Sequence, residues 1–332
     1  MDQVLDITKE RLDKARLAVE KSPLVVKTPL LKNAGELFGL DEKCFMCDVH
    51  FKLETLQKTG SFKTRGLANQ LVYLPPNVLK DKQSLVAMSA GNYGKAFAYA
   101  TQQLDLPATV VMPDVAPVSR VKIIEGYGAK VERVPVQELR ETVEKHVKED
   151  GMHFLHSFDD TNLICGCASA GFEVLDEIPD PDVIIVCCGG GGLLAGVATA
   201  MKYSGKKTRV FGAEPEGAPK MFKSLQAGKA VTLESIDTIA SGLAPPMAGK
   251  NNFEVIRNFV EDIILVSDKE IKKAMKVLYD GGLVVEPSGA AAFAAFLNKK
   301  IPDIKADAQV VVFLTGSNVT IDELHKFIGK TT

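Results

Sequence analysis

The chain has 332 residues, 46% of them apolar and 25% charged, enough to bury a sizeable core across about two domains of roughly 100–200 residues each. Forty basic against forty-two acidic residues leave a formal net charge of −2, so no bulk field directs the chain to nucleic acid or to an anionic membrane surface. No run approaches the roughly 18–20 apolar residues of a membrane span, which leaves a small solute as the expected partner.

The N-terminal MDQVLDITKERLDKARLAV reads as an amphipathic, charged helix without the apolar centre of a signal peptide, and a cytoplasmic location is expected. Next, LETLQKTGSFKTRGLANQL, Leu53 to Leu71, reads as a turn and then a helix that Ser61 caps, with Phe62 and Lys63 in its first turn. The positive helix end disfavours an ammonium at Lys63, and so does burial. A lysine of lowered pKa is what imine chemistry requires, because only the free amine attacks an aldehyde. A solvated helix lysine is the plain alternative.

Further along, the strand-like SLVAMSA, ATVVMP, AKVERVP and DVIIVCC are each followed by a helix-like segment: NYGKAFAYATQQL, APVSRVKIIEGYG, QELRETVEKHVKED and GLLAGVATAMKYS. This rhythm predicts an α/β protein of βα units around mainly parallel strands. Residues from about Gln83 to Gly151 hold a set of βα units of their own. The expected organisation is a large domain, residues 1–82 and 153–332, around an inserted small mobile domain, residues 83–152. The six cysteines fall as Cys44/Cys47, Cys165/Cys167 and Cys187/Cys188; only the first pair has metal-like spacing, half a zinc site at most, and thiols are expected throughout. The histidines show no ligand spacing.

The segment VIIVCCGGGGLLAG carries a strand, Val183 to Cys188, into Gly189, Gly190, Gly191 and Gly192 and then a helix. Glycines let the backbone approach an anion closely, and the amides at a helix N-terminus bind phosphate oxygens. The Lys-Ser/Thr ending of a nucleotide-triphosphate loop is missing, and the Gly-x-Gly-x-x-Gly spacing of a dinucleotide fold is not met. A tight turn that binds nothing is the alternative. A phosphate-bearing aldehyde would satisfy this loop and Lys63 together: pyridoxal 5′-phosphate.

QKTGSFKTRG, SAGNYG, CGGGGLLAG, GAEPEGAPKMF, VVEPSGAAA and LTGSNV stand in the order and rough spacing of the fold-type II pyridoxal-phosphate enzymes. They resemble the threonine/serine dehydratase and serine racemase branch, over about Thr28 to Val319. The resemblance implies two open, mainly parallel sheets with helices on both faces, as in the tryptophan synthase β-like fold. It makes Lys63 the Schiff-base lysine and Phe62 its neighbour against the cofactor ring. Asn92 would meet the pyridine 3′-oxygen, Gly189 to Gly192 the phosphate, and Thr315 the pyridine nitrogen. Ser89, Ala90, Gly91, Asn92 and Tyr93 would take the substrate carboxylate, with Arg140 closing over it from the small domain. Glu286 reads as a supporting or structural residue near the ring. The implied activity is an ammonia-lyase acting on L-threonine or L-serine by β-elimination, as a homodimer. A racemase or a 3-hydroxyaspartate dehydratase of the same family is the alternative.

Departures from the family pattern bear on the substrate. Gly166-Cys167-Ala168-Ser169 replaces the usual Gly-Gln-Gly-Thr, and Tyr93 replaces the usual histidine. Ala90 stands where racemases carry a serine. Divalent-cation-dependent relatives place a glutamate, a backbone carbonyl and an aspartate where this chain has Glu214, Ala218 and Lys220. An ammonium deletes a ligand and adds positive charge where the ion would sit, so no metal is expected and Lys220 is expected to pair with Glu214 in its place. The chain ends about a dozen residues past LTGSNV, so no C-terminal regulatory domain is expected.

Overall fold

Runs of β-branched and aromatic residues form the strands, and those in the middle of the larger sheet are buried on both faces. The structure, a computed structural model, describes residues 5–40 and 47–329; Cys44 and the pairing considered for it lie outside the described residues. The strands are β1 (Leu30–Leu31), β2 (Asp48–Leu53), β3 (Leu85–Met88), β4 (Ala108–Pro113), β5 (Lys130–Val134), β6 (His153–Phe154), β7 (Val183–Cys187), β8 (Arg209–Pro215), β9 (Asp262–Val266) and β10 (Gln309–Leu314). One sheet runs β1-β2-β10-β7-β8-β9 and the other β5-β4-β3-β6. Every pairing is parallel except β1 with β2. The fold class expected from the sequence is the one observed.

Side chains alternate across the large sheet, as the pleat requires. Val311 and Phe313 of β10 enter a layer shared with the helices Thr161–Glu177 and Gly192–Tyr203. Val310, Val312 and Leu314 enter the opposite layer, against the helix Pro287–Leu297. That helix, PSGAAAFAAFL, is buried over most of its length, and its small residues let it lie close on the sheet. In the small sheet, Val86 and Val111 meet Val143 of the helix Leu139–Lys148. The small sheet includes His153 and Phe154, just past the boundary expected at residue 152.

The first helix is Lys9–Lys21, capped by the Thr8 side chain. No helix among the described residues is long and apolar enough to cross a membrane. Cys47, Cys165, Cys167, Cys187 and Cys188 are free. Because the strands are parallel, the loops that follow β2, β3, β7 and β10 leave from the carboxyl ends of their strands, where α/β proteins bind ligands. Those loops carry Lys63, Ser89 to Asn92, Gly189 to Gly192, and Thr315.

Candidate active site

The helix Lys63–Val72 begins at Lys63 itself, with Phe62 at its cap position and no side-chain cap bond. The expected cap is corrected here: the Ser61 hydroxyl is buried without a partner among the described residues. The reason is tertiary. Ser61 pairs through its backbone with Gly316, the Phe62 amide donates to the Thr315 carbonyl at 3.2 Å, and the Ser317 amide donates to the Gly60 carbonyl at 2.9 Å. The approach to Lys63 is thus laced to the loop after β10. Gly60 sits at φ +73°, where a Cβ would lie 2.8 Å from Asn318 Oδ1, so this turn requires glycine.

Lys63 Nζ donates to the Ser157 carbonyl at 3.3 Å and lies 4.8 Å from the centre of the Phe62 ring. Burial lowers its pKa below the ordinary lysine value, with Cys167 and Glu286 pulling weakly the other way. Burial therefore favours the free amine, as imine chemistry requires.

After β3, Ser89 Oγ accepts from the amides of Gly91 at 3.3 Å and of Gly94, in the first turn of the helix Asn92–Gln103, at 3.0 Å, which leaves the hydroxyl proton free to donate. Asn92 is held from both sides: Nδ2 donates to Glu286 Oε1 at 2.5 Å, and Oδ1 accepts from Asn318 Nδ2 at 2.8 Å. Asn318 Oδ1 in turn accepts from Lys95 Nζ at 2.6 Å. Tyr93 is buried, and its hydroxyl donates to Gln70 Oε1 at 2.7 Å; its side chain is committed to the protein interior. Gln70 Nε2 donates to the His156 carbonyl, one residue before the carbonyl that receives Lys63.

Glu286, which reads from the sequence as a supporting or structural residue, is the most perturbed acid of the site. Burial pushes its carboxyl up from an ordinary 4.5 to about 7, against the opposing Asn92 hydrogen bond. The folded protein therefore holds a proton that the unfolded chain has released between pH 4.5 and about 7. Stability from this group falls as pH rises through that window, by about 3 kcal/mol in all. Glu286→Gln is expected to melt higher relative to wild type at pH 8 than at pH 5, by calorimetry. A Tm difference that does not change with pH would contradict this assignment.

The loop after β7 runs through Gly189 to Gly191 into the helix Gly192–Tyr203. A Cβ at Gly190 would sit 2.3 Å from the Phe158 ring, and one at Gly191, where φ is +105°, 2.8 Å from the Asn252 Cβ. The backbone is packed too closely here for any side chain. The first helical turn leaves its amides without intrahelical acceptors, at the positive end of the dipole.

Of the remaining expected residues, Lys220 lies beside Glu214 as expected and Arg140 does not reach the site. Lys220 Nζ lies 3.1 Å from Glu214 Oε1 with both side chains fully buried, and it also donates to the carbonyls of Ala218 at 3.2 Å and Leu243 at 2.8 Å. Arg140 is not brought to the cluster: its side chain is 88% exposed and pairs with Glu144 one turn along its own helix. A different arginine stands at the cleft. Arg120 donates to the Ala90 carbonyl and to Ser241 Oγ, both at 3.1 Å, and with Gly91, Asn92, Lys95, Ser317 and Asn318 it lines a cavity of about 260 Å³. Nothing local marks Arg120 beyond its place in the helix Val118–Gly126. Among the described residues, no group of three or more His, Cys, Asp and Glu side chains could hold a metal ion.

A buried lysine of lowered pKa, a glycine cradle at a helix N-terminus and a neutral hydroxyl at the end of β10 define a class of enzyme that works through a phosphorylated aldehyde. The chain belongs to the pyridoxal-phosphate dependent enzymes, whose family model matches residues 21–316. It is 35% identical over 286 residues to an L-threonine ammonia-lyase of Thermotoga maritima, covering 85% of this chain and 70% of that protein. It is 36% identical over 331 residues to a serine racemase of Oryza sativa, covering 98% and 94%. The crystal structure of serine racemase from Dictyostelium discoideum superposes with a TM-score of 0.84 at 33% identity, over 95% of this chain and 99% of that one.

The residues present fit the cofactor. The hydroxyls of Thr59 and Ser61, beside the Lys63 turn, are buried without partners among the described residues. The cradle after β7 excludes side chains at each of its turns. Thr315, the expected neighbour of the pyridine nitrogen, is buried at the end of β10.

Proposed function

We propose that this protein is an ammonia-lyase that converts L-threonine or L-serine to the corresponding 2-oxo acid and ammonia. The observation that carries the reading is the pairing of Lys63, its pKa lowered by burial, with Ala90 in the substrate loop. One face of the substrate would meet a base, and the loop offers only a methyl group where a second acid would stand.

Bound pyridoxal phosphate supplies the electron sink that makes the amino acid's Cα–H bond acidic. Lys63 would hold the cofactor through its amine and, once displaced by the substrate amine, take the Cα proton. The amide of Asn92 and the free proton of Ser89 would orient the carboxylate, while the Gly91 amide holds the Ser89 oxygen in place. Asn92, fixed between Asn318 and Glu286, keeps one amide proton for the 3′-oxygen. Thr315 would offer the ring nitrogen a hydroxyl, which cannot hold a proton there as a carboxylate would.

The unit built on β3 to β6 is the small domain of this proposal, and Arg120 already ties it to Ser241 of the large one. Lys220 occupies an oxygen cage in place of a divalent cation. A cytoplasmic homodimer belongs to the same reading. The test is one assay: purified enzyme with L-threonine and L-serine, 2-oxo-acid detection, chiral analysis of the remaining serine, and a chelator arm. We expect 2-oxo acid from both substrates, far slower D-serine formation, and rates that chelation leaves unchanged. Ala90→Ser is expected to raise the racemisation rate. D-serine appearing as fast as pyruvate would overturn the lyase reading, and a rate restored only by magnesium would overturn the role given to Lys220.

A further inference from the structure

Asn252 lies in the first turn of the helix Lys250–Phe259 and is fully buried. Its Nδ2 donates to two carbonyls from distant parts of the chain, Gly190 at 2.7 Å and Phe158 at 3.0 Å. The amide of Gly249 donates to the same Gly190 carbonyl at 3.1 Å. Two carbonyl acceptors fix which end of the Asn252 amide faces them, because the opposite orientation would set oxygen against oxygen. The helix start is itself clamped. Asp159 accepts from the backbone amides of Lys250 and Asn251, both at 2.9 Å, and a Cβ on Gly249 would lie 2.5 Å from Asn252 Nδ2.

A trans peptide carries its C=O and the following N–H on opposite sides of one plane, and the described residues contain no cis peptide. Holding the Gly190 oxygen toward Asn252 therefore turns the Gly191 N–H to the other side. Gly191 has φ +105°, a conformation open to glycine and otherwise free to flip. From this we propose that Asn252 is a positioning residue of the phosphate cradle: by anchoring the Gly190 carbonyl it presents the Gly191 amide to the phosphate of the cofactor. The inference rests on the functional reading only for the identity of the cofactor. It concerns equilibrium binding and not turnover, so it can fail while the lyase stands.

Apoenzyme is titrated with pyridoxal 5′-phosphate and, separately, with pyridoxal, following the visible band of the lysine-bound aldehyde. Pyridoxal lacks the phosphate and so reports everything about the site except the cradle. For Asn252→Ala we expect the phosphorylated ligand to bind roughly 10-fold more weakly or worse, as for loss of an oriented charge-assisted hydrogen bond, with pyridoxal affinity unchanged. Asn252→Asp, which keeps the volume but opposes two carbonyls with a carboxylate, is expected to lose at least as much selectivity for the phosphorylated ligand and serves if the alanine variant does not fold. Equal weakening of both ligands would reduce Asn252 to a structural residue and overturn the proposal. So would unchanged binding of both, or a wild type that does not prefer the phosphorylated ligand.

Discussion

Lys63→Ala is expected to fold, to lose the visible band of bound cofactor, and to lose turnover by well over 10³-fold. One substitution removes both the nucleophile that holds the aldehyde and the base that takes the Cα proton, and positioned acid–base catalysis alone is worth roughly 10²–10⁴-fold. The fold does not depend on the ammonium. Among the described residues its one hydrogen bond is the 3.3 Å contact to the Ser157 carbonyl, burial already disfavours its charge, and alanine is a good residue at the start of a helix. The melting temperature should therefore hold or rise. A variant that kept wild-type turnover would remove Lys63 from the chemistry altogether.

The second large effect concerns stability. Arg65, two residues beyond Lys63, is fully buried and is gripped by two carboxylates. Nε and Nη2 reach Glu54 at 2.8 Å each, and Nη1 and Nη2 reach Glu173 at 2.7 Å each. Lys52, also fully buried, donates to Glu173 Oε2 and to the Thr28 carbonyl, both at 2.6 Å. Two cations and two anions cancel, so the cluster is tolerable only while complete. Glu173→Gln strands a net positive charge between Arg65 and Lys52 and is expected to cost about 3–5 kcal/mol. For a domain of this size that lowers Tm by very roughly 6–20 °C. Replacing the cluster together with apolar residues of similar volume should cost much less than the single change. A Glu173→Gln variant that melts with wild type would show that water reaches the cluster.

Much of the architecture was legible because it is local. The β-branched runs became β3, β4, β5 and β7 within a residue or two, and the four glycines after β7 stand where a strand meets a helix. Lys63 was legible through its neighbours. What escaped was tertiary. The partners of Arg65 lie just before β1, in the turn after β2 and in the helix Thr161–Glu177, at separations with no periodic trace. β1 and β6 are two residues long and carry no pattern at all. Ser61 misled because capping is a local rule, whereas its backbone is committed to Gly316. Asn252 sits in a helix start that reads as any other, and only the folded chain shows what its amide holds.

The cage around Lys220 has a consequence for how the protein meets a changing ionic environment. Glu214 Oε1 and the carbonyls of Ala218 and Leu243 surround a positive charge that is bonded to the chain and so has no dissociation rate of its own. A free ion occupies its site according to its concentration, but a tethered one is present at an effective concentration that no buffer can dilute. Through Leu243 that charge steadies the turn Ser241–Leu243, which also receives Arg120 and, at the Gly242 amide, donates to Ser288. Scarcity of divalent ions cannot empty this cage and abundance cannot overfill it; its occupancy is set when the chain folds.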